Sequence, residues 1–282
     1  MAPETRKGGR CLIKAFRFIL VVVAGVLLGI LSFSSYKLMQ DSKVHSEARA
    51  KDSSVSQSYE VDRLESVPSP RVYEEHVQNQ ISQGWIKLDD EISPLNSKYD
   101  LSQFFRDYPD AIGWIYCPDT PIDYGVVEHE DNDYYLHRFY DGSYSVGGSL
   151  FVDCVNARDF SDDNTVIYGH HMNDGTKFAR VSYYKDQYYY DEHPVMYIST
   201  PSMNYRLELF SAFLTDADSE VYTFNFDSEQ SFDAWIRRMQ AESDFKNSVQ
   251  VSAQDHIVTL STCSYEYYDA RYVLLGKLVP IH

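Results

Sequence analysis

The sequence has few cysteines for its length. It contains four in 282 residues, Cys11, Cys117, Cys154 and Cys263, which is too few for the disulfide framework of a small secreted domain. Cys117 and Cys154 could pair if their strands adjoin, but a free buried thiol is the simpler interpretation for both. The sequence also lacks a phosphate-binding glycine loop, a zinc-ligand spacing and an internal repeat. It therefore predicts no cofactor and no metal.

Basic residues are scarce beyond the N-terminus. The first 37 residues hold six basic residues and one acidic residue, which leaves 19 basic and 41 acidic residues in the remainder. A surface this acidic cannot neutralise phosphates, so nucleic acid is excluded as a partner. The acidic run Glu128, Glu130, Asp131 and Asp133 could offer oxygen ligands to calcium, but it lacks the EF-hand spacing and its glycine. A solvated acidic loop is the preferred interpretation.

One long apolar run lies near the N-terminus. Residues Phe18 to Phe33 are apolar or glycine except for Ser32, and the run extends to Tyr36. A bilayer-spanning helix needs about 20 such residues, more than a signal-peptide core has. Five basic residues precede the run and should stay in the cytoplasm. We expect a cytoplasmic N-terminus over 1–17, a transmembrane signal anchor over 18–36 and the remainder outside the cell. A signal peptide cleaved near Ser32–Ser35 is the alternative.

The next segments differ in composition. Residues 37–70 are rich in Ser, Asp, Glu and Lys, contain few large apolar side chains, and end near Pro68 and Pro70. This composition predicts a flexible or partly helical stalk. Residues 71–282 are predicted to form one folded domain. It begins with an amphipathic helix over 71–83 and a short helix capped by Asp100.

After Gly113 the pattern is mainly β. Eight short runs rich in β-branched and aromatic residues are separated by Gly, Asp, Asn and Pro, which indicates a closed or nearly closed barrel. They are Trp114–Tyr116, Ile122–Val127, Ser149–Val152, Thr165–Tyr168, Val195–Ser199, Tyr205–Leu214, Ile257–Ser261 and Tyr272–Val279. One helix interrupts the late strands, with Asp227 as its expected cap. Its apolar face is Phe232, Trp235, Ile236 and Met239.

The last two predicted strands place a thiol and a guanidinium close to each other. Cys263 ends the first of them and Arg271 stands near the start of the second. A nearby cation favours the thiolate, which is the nucleophilic form of cysteine, and it offers donors to an oxyanion. The best candidate for a histidine partner is His170, which follows Gly169 at the end of a predicted strand; His171 should point to the opposite face. A buried structural thiol and an ordinary ion pair are the alternatives for Cys263 and Arg271.

These residues carry a resemblance to a known family. The string Thr259–Cys263 with Arg271 eight positions later, and the upstream Tyr168–Met172, resemble the class B sortases, cysteine transpeptidases of Gram-positive cell surfaces. Four further blocks occur in the family's order over roughly residues 95 to 282. They are Phe105–Ile115, Thr120–Tyr124, Asp131–Leu136 and Gly148–Asp153.

The resemblance implies a fold, a site and an activity. It implies an eight-stranded sortase barrel over 71–282, with His170, Cys263 and Arg271 as catalytic residues and Ser261 as a substrate-binding residue, although the Ser261 hydroxyl could instead tie strand backbone. The enzyme would cleave an NPxT-like sorting motif of secreted proteins through a thioester and transfer them to an amine of a cell-wall precursor peptide. The alternatives are a pilin-polymerising class B sortase, whose acceptor is a lysine, and a non-catalytic surface adhesion module.

Overall fold

The structure, a computed structural model, describes residues 7–60, 91–264, 266 and 268–282, with only the backbone described for residues 7–22 and Ala24. The chain divides into two units, Met1–Glu47 and Ala48–His282. The helix predicted over 71–83 lies outside the described residues.

The second unit is built on a closed eight-stranded barrel with the strand order β1-β2-β3-β4-β7-β8-β6-β5. The barrel confirms the predicted fold, and each strand overlaps one of the eight predicted runs. The strands are β1 Ala111–Tyr116, β2 Asp123–Val127, β3 Leu150–Val152, β4 Asn164–Tyr168, β5 Val195–Ser199, β6 Asn204–Asp216, β7 Ile257–Cys263 and β8 Ala270–Ile281. Closure gives every strand a neighbouring strand on both sides.

The barrel contains both parallel and antiparallel strand pairs, and this pairing brings the ends of β4 and β7 next to the start of β8. Strand β4 pairs with β7 in parallel, with Tyr168 opposite Ser261. Strand β7 pairs with β8 in antiparallel fashion, with Cys263 opposite Arg271. Because parallel strands end at the same edge of a sheet, the end of β4, the end of β7 and the start of β8 lie side by side.

Two short helices precede the barrel, α2 (Pro94–Lys98) and α3 (Leu101–Asp107). Asp100 caps α3 as predicted, since its side chain accepts a hydrogen bond from Ser102 N. The buried Phe104 of α3 meets the ring of Trp114 edge-to-face at 4.9 Å between centroids. Gly125 of β2 makes room for that ring, because a Cβ there would lie 2.3 Å from Phe104.

Helix α4 (Gln187–Glu192) precedes β5, and helix α5 (Glu229–Ala241) lies between β6 and β7. The four apolar residues predicted for the face of α5 are all buried. The predicted cap is wrong by one residue. Ser228, not Asp227, accepts from Ser231 N, and the two serines form a reciprocal capping box.

Helix α1 runs from Lys7 to Tyr59 and contributes to both units. In the first unit its described apolar side chains are exposed, among them Val26, Leu28, Leu31 and Phe33. Among the described residues, no helix combines the length and the hydropathy that crossing a membrane requires. The membrane segment over 18–36 begins among residues whose side chains are not described, and it stays a prediction.

The last turns of α1 belong to the second unit. Val55 is buried, and the ring of Tyr59 meets Phe104 edge-to-face at 5.5 Å. Val55 and Tyr59 are four positions apart and share one face of the helix. The segment predicted as a flexible or partly helical stalk is therefore helical through Tyr59. Composition averages over a segment and does not reveal one such face.

Candidate active site

Three adjacent strands bring the predicted site residues to one cleft. His170 follows β4, Cys263 ends β7 and Arg271 lies near the start of β8. The Gly169 N–H donates to the Ser261 carbonyl at 3.0 Å, which continues the β4–β7 ladder to the residue before His170. All three side chains, with Ser261, line a cavity of about 200 Å³, whose other walls are Asn132, Leu136, Phe151, Tyr168, Gly169 and Thr262.

The imidazole of His170 is held at one nitrogen. Its Nε2 lies 2.7 Å from the carbonyl oxygen of Leu136. A carbonyl can only accept, so Nε2 carries a hydrogen and Nδ1 is the acceptor of the neutral ring. The ring of His137 stacks on it at 5.6 Å between centroids.

The same surroundings set the charge of His170. Burial lowers the pKa of His170 below its ordinary value of 6.5, and the charges of His137 and Lys177 add to this, against the opposing effect of the Leu136 hydrogen bond. His170 is therefore mainly neutral at pH 7, and it can take a proton before it gives one.

Cys263 is a partly exposed, free cysteine at the last position of β7. Its carbonyl accepts a hydrogen bond from His171 Nδ1 at 3.1 Å. His171 lines a different cavity, with Ser182, Lys185, Ser264 and Glu266. The two histidines thus line different cavities, and His170 is the one in the cleft with the thiol. Strand β4 ends at Tyr168, so strand alternation does not extend to His171.

Arg271 is held by its own turn. Its Nη1 donates to the carbonyls of Asp269 and Ala270 at 3.1 Å each, and its Nη2 lies 2.9 Å from a carboxylate oxygen of Asp269. Among the described residues, these contacts use three of the five N–H donors of the guanidinium. Arg271 is therefore both an ion-pair partner and a wall of the cleft, so the two interpretations of the residue are not exclusive.

Ser261 is buried in the floor of the cleft. Its Oγ lies 2.9 Å from the hydroxyl of Tyr222, so the side chain bonds another side chain and not strand backbone. Burial raises the pKa of Tyr222, which stays neutral. Tyr222 lies in a short 3₁₀ helix between β6 and α5, far from Ser261 in sequence, and no local pattern could have revealed it.

Asn132 and Tyr168 also line the cleft, and neither was predicted from the sequence as a site residue. Both are fixed by Asp153: Asn132 Nδ2 donates to Asp153 Oδ2 at 3.0 Å, and the Tyr168 hydroxyl donates to the same oxygen at 2.9 Å. Burial and Asp153 raise the pKa of Tyr168. A signal was available, since Asn132 and Asp153 fall within two of the blocks that carry the sortase resemblance.

The other two cysteines and the acidic run have contacts that indicate structural roles. Cys117 and Cys154 are both free. Cys117 is buried in the core, and its burial raises the pKa of the thiol. In the acidic run, Asp131 accepts from the N–H groups of Asp133 and Tyr134, and Glu128 pairs with Arg158. These carboxylates order a loop.

Comparison with known proteins gives the family. A family model described as "Sortase domain" matches residues 115–279. Sortase B of Listeria monocytogenes is 38% identical over 172 residues, which cover 60% of this chain and 70% of that protein. Sortase B of Staphylococcus aureus is 29% identical over 174 residues, which cover 61% and 71%.

The chain belongs to the sortase family, in class B. Solved structures agree: the L. monocytogenes sortase B superposes with a TM-score of 0.57 at 35% identity, covering 63% of this chain and 99% of that one. An S. aureus sortase B–substrate complex superposes with a TM-score of 0.62 at 26% identity, covering 75% and 97%.

Family membership makes this sortase a cysteine transpeptidase and disfavours the alternative of a non-catalytic adhesion module. Of the three cysteines whose side chains are described, Cys263 lines the cleft that also holds a histidine and an arginine. The roles of these residues stay predictions.

Proposed function

We propose that this sortase cleaves an NPxT-like sorting motif in secreted proteins and transfers the new carboxyl end to an amine of a cell-wall precursor peptide. The observation that carries the proposal is the cleft in which Cys263, His170 and Arg271 meet. Relatives support the classes of substrate and acceptor, since one S. aureus sortase B structure is a substrate complex and another sortase B structure is a complex with triglycine.

In the first half-reaction Cys263 becomes acylated. Neutral His170 accepts the thiol proton, and the sulfur attacks the carbonyl carbon of the motif's threonine. The oxyanion that forms is stabilised by Arg271 and a backbone N–H. When the carbon–nitrogen bond breaks, His170 returns its proton to the departing amine. A thioester on Cys263 remains.

In the second half-reaction the thioester meets an amine. His170 is neutral again and takes a proton from the incoming amine as it attacks the thioester carbon. The sulfur leaves and takes the proton from His170, which restores the thiol and the neutral imidazole, and a new amide bond joins the secreted protein to the acceptor. The lowered pKa of His170 suits this step, because a protonated imidazole could not serve as the base.

The same proposal places the enzyme in the cell membrane as a single-pass protein with its catalytic domain outside. Its support is the basic cluster before residue 18, the apolar run that follows, and the exposure of the described apolar side chains in that run. A helix with apolar residues on every side needs an apolar environment.

The nucleophile is tested by Cys263→Ala in the full-length, detergent-solubilised protein. We expect cleavage of an NPxT peptide and thioester formation, seen by mass spectrometry, to be lost while the melting temperature is kept. The matched control is Cys154→Ala, which removes a partly exposed thiol outside the cleft and should leave turnover unchanged. Turnover by Cys263→Ala would refute the assignment. Transfer to a pilin lysine peptide but not to a cell-wall stem peptide would refute the proposed acceptor.

A further inference from the structure

A fully buried lysine lies next to the catalytic cleft. Lys177 is 1% exposed, although it stands in a polar turn seven residues after His170. Its backbone N–H donates to the Tyr124 hydroxyl at 3.0 Å, and its ammonium lies 4.8 Å from the centroid of that ring. Its φ is 55°, in the left-handed region that a residue with a Cβ rarely adopts. Such a conformation persists only where the surroundings fix it.

The counter-ion of Lys177 comes from helix α1. Asp52 Oδ1 lies 2.8 Å from Lys177 Nζ, and the Asp52 and Lys177 side chains are 11% and 1% exposed. Burial raises the pKa of Asp52, and the ammonium opposes this effect. Removing one partner of a buried pair leaves the other charge without compensation, which is strongly destabilising locally.

A second ion pair joins α1 to the same turn. Arg49 Nη2 lies 2.9 Å from Asp174 Oδ2. Asp174 in turn accepts from Thr176 N at 3.1 Å and from Thr176 Oγ1 at 2.6 Å. Both ion pairs therefore end within the segment 170–178, which we call the histidine turn.

The histidine turn is closed at its stem, so its position and that of His170 are linked. The Phe178 N–H donates to the His170 carbonyl at 3.0 Å, and His171 and Lys177 form an isolated β-bridge. A movement of Lys177 toward water would be transmitted across this stem to the backbone of His170.

We propose that Asp52 and Lys177 are positioning residues: the last turns of α1 form a strap that holds the histidine turn, and thereby His170, in its place in the cleft. This inference rests on the proposed function, in which His170 transfers the protons. The Asp52–Lys177 pair is the main link of the strap, because it is the more deeply buried of the two ion pairs.

The test compares Asp52→Asn with a matched control in the full-length protein. Asp52→Asn keeps the shape of the side chain but leaves the ammonium of Lys177 without its counter-ion. Misplacement of a catalytic group by about 1 Å reduces rates by about 100-fold, so we expect kcat to fall about 10- to 100-fold. The KM should stay within about twofold, because Asn132, Tyr168 and Ser261 lie outside the turn. Backbone amides of residues 170–178 should exchange hydrogen faster.

The control is Lys51→Met, which breaks another ion pair of the same helix. Lys51 Nζ lies 3.2 Å from Asp141 Oδ2, and both side chains are partly exposed. The Lys51→Met variant should leave kcat unchanged, and it should leave the hydrogen exchange of the backbone amides in the histidine turn unchanged. The double variant Asp52→Asn/Lys177→Met removes both charges and keeps a buried apolar stem, and we expect it to recover most of kcat.

Three results would contradict the positioning role of Asp52 and Lys177. If Asp52→Asn keeps kcat within twofold and leaves exchange of 170–178 unchanged, the strap does not position His170. If the double variant is as impaired as Asp52→Asn, or Lys51→Met lowers kcat equally, the effect belongs to docking of α1 in general and the proposal is wrong. If the unsubstituted enzyme cleaves no sorting peptide, the proposed function fails, while hydrogen exchange still reports on the strap.

Discussion

At the residue scale, His170 and Arg271, the two residues that share the cleft with Cys263, differ in how they are held. His170 is fixed by buried contacts, with the Leu136 carbonyl at one nitrogen and the ring of His137 on its face. Arg271 is fixed by its own turn and by the exposed carboxylate of Asp269. Burial therefore controls the protonation of His170. The N–H donors of Arg271 can reach an oxyanion if the guanidinium exchanges its contacts with Asp269 for the substrate.

The titration of His170 tests the effect of its surroundings. Because the folded state disfavours the charged ring, its midpoint should lie below 6.5, its ordinary pKa. His137→Phe keeps an aromatic neighbour but removes its charge, so the midpoint should rise while staying below 6.5, since burial is the larger cause. Histidine-labelled protein can be followed by NMR, with His170→Gln to assign the signal. A midpoint above 6.5 in the unsubstituted protein would contradict this account.

The same shift has a consequence for stability. Below pH 6.5 the unfolded chain binds a proton at this histidine more readily than the folded chain does. The contribution of His170 to the free energy of unfolding therefore decreases as the pH falls below 6.5, and it is fully present above that value.

The role of Arg271 can be separated from its ion pair. If it acts as an oxyanion donor, Arg271→Lys keeps the charge but loses the planar fork, and kcat/KM should fall by about 10²–10³. Asp269→Asn is the matched control, because it breaks the ion pair and keeps the guanidinium. It should retain activity, and as a partly exposed pair it should change stability by no more than about 1 kcal/mol.

Peptide cleavage and thermal unfolding distinguish the two roles. Near wild-type turnover by Arg271→Ala, with a melting temperature lowered as much as in Asp269→Asn, would show that the arginine is only a structural partner.

At the scale of elements, the sequence predicted what depends on local pattern. Eight runs of β-branched and aromatic residues became eight strands, and the thiol and the guanidinium stand opposite each other on β7 and β8. The position of Tyr222 under Ser261 was not predictable, because it depends on the path of the chain between β6 and α5. The tie between α1 and the histidine turn likewise joins residues more than a hundred positions apart.

Gly169 shows how tightly the end of β4 is packed. A Cβ at this position would lie 2.5 Å from Leu150 Cδ2 and 2.6 Å from Phe178 Cδ2. Gly169→Ala must therefore displace one of these side chains or the strand end, and we expect a loss of about 1–3 kcal/mol in the free energy of unfolding. Because His170 is the next residue, kcat should fall as well.

Gly113→Ala is the matched control for this prediction. A Cβ on Gly113 would meet Phe160 and the Ser199 carbonyl at 3.5 Å, an ordinary contact distance. Its free energy of unfolding, measured by denaturant titration, should change by less than about 1 kcal/mol. Equal losses for the two alanine variants would show that close packing at the end of β4 is not the cause.

At the scale of the whole molecule, charge and hydropathy are divided along the chain. The basic residues near the N-terminus, the apolar run after them and the acidic remainder are the arrangement expected of a signal anchor. If the catalytic domain acts on secreted proteins, as proposed, it needs to lie on the outer side of the membrane. The proposed membrane location therefore rests on the composition of the sequence, and the barrel carries no information about it.

The anchor can be tested by substitution within the run. Full-length protein should sediment with membranes, and protease added to intact protoplasts should remove the catalytic domain. Leu27→Arg/Leu28→Arg places two charges in the predicted span, each unfavourable by about 2.5–3.5 kcal/mol at the centre of a membrane helix, and should abolish anchoring. The control Leu38→Arg adds a charge just beyond the predicted span, at a side chain that is 70% exposed, and should remain anchored. A mature chain that begins after Ser32–Ser35 would show that the segment is a cleaved signal peptide, because an anchor must stay attached to the domain it holds.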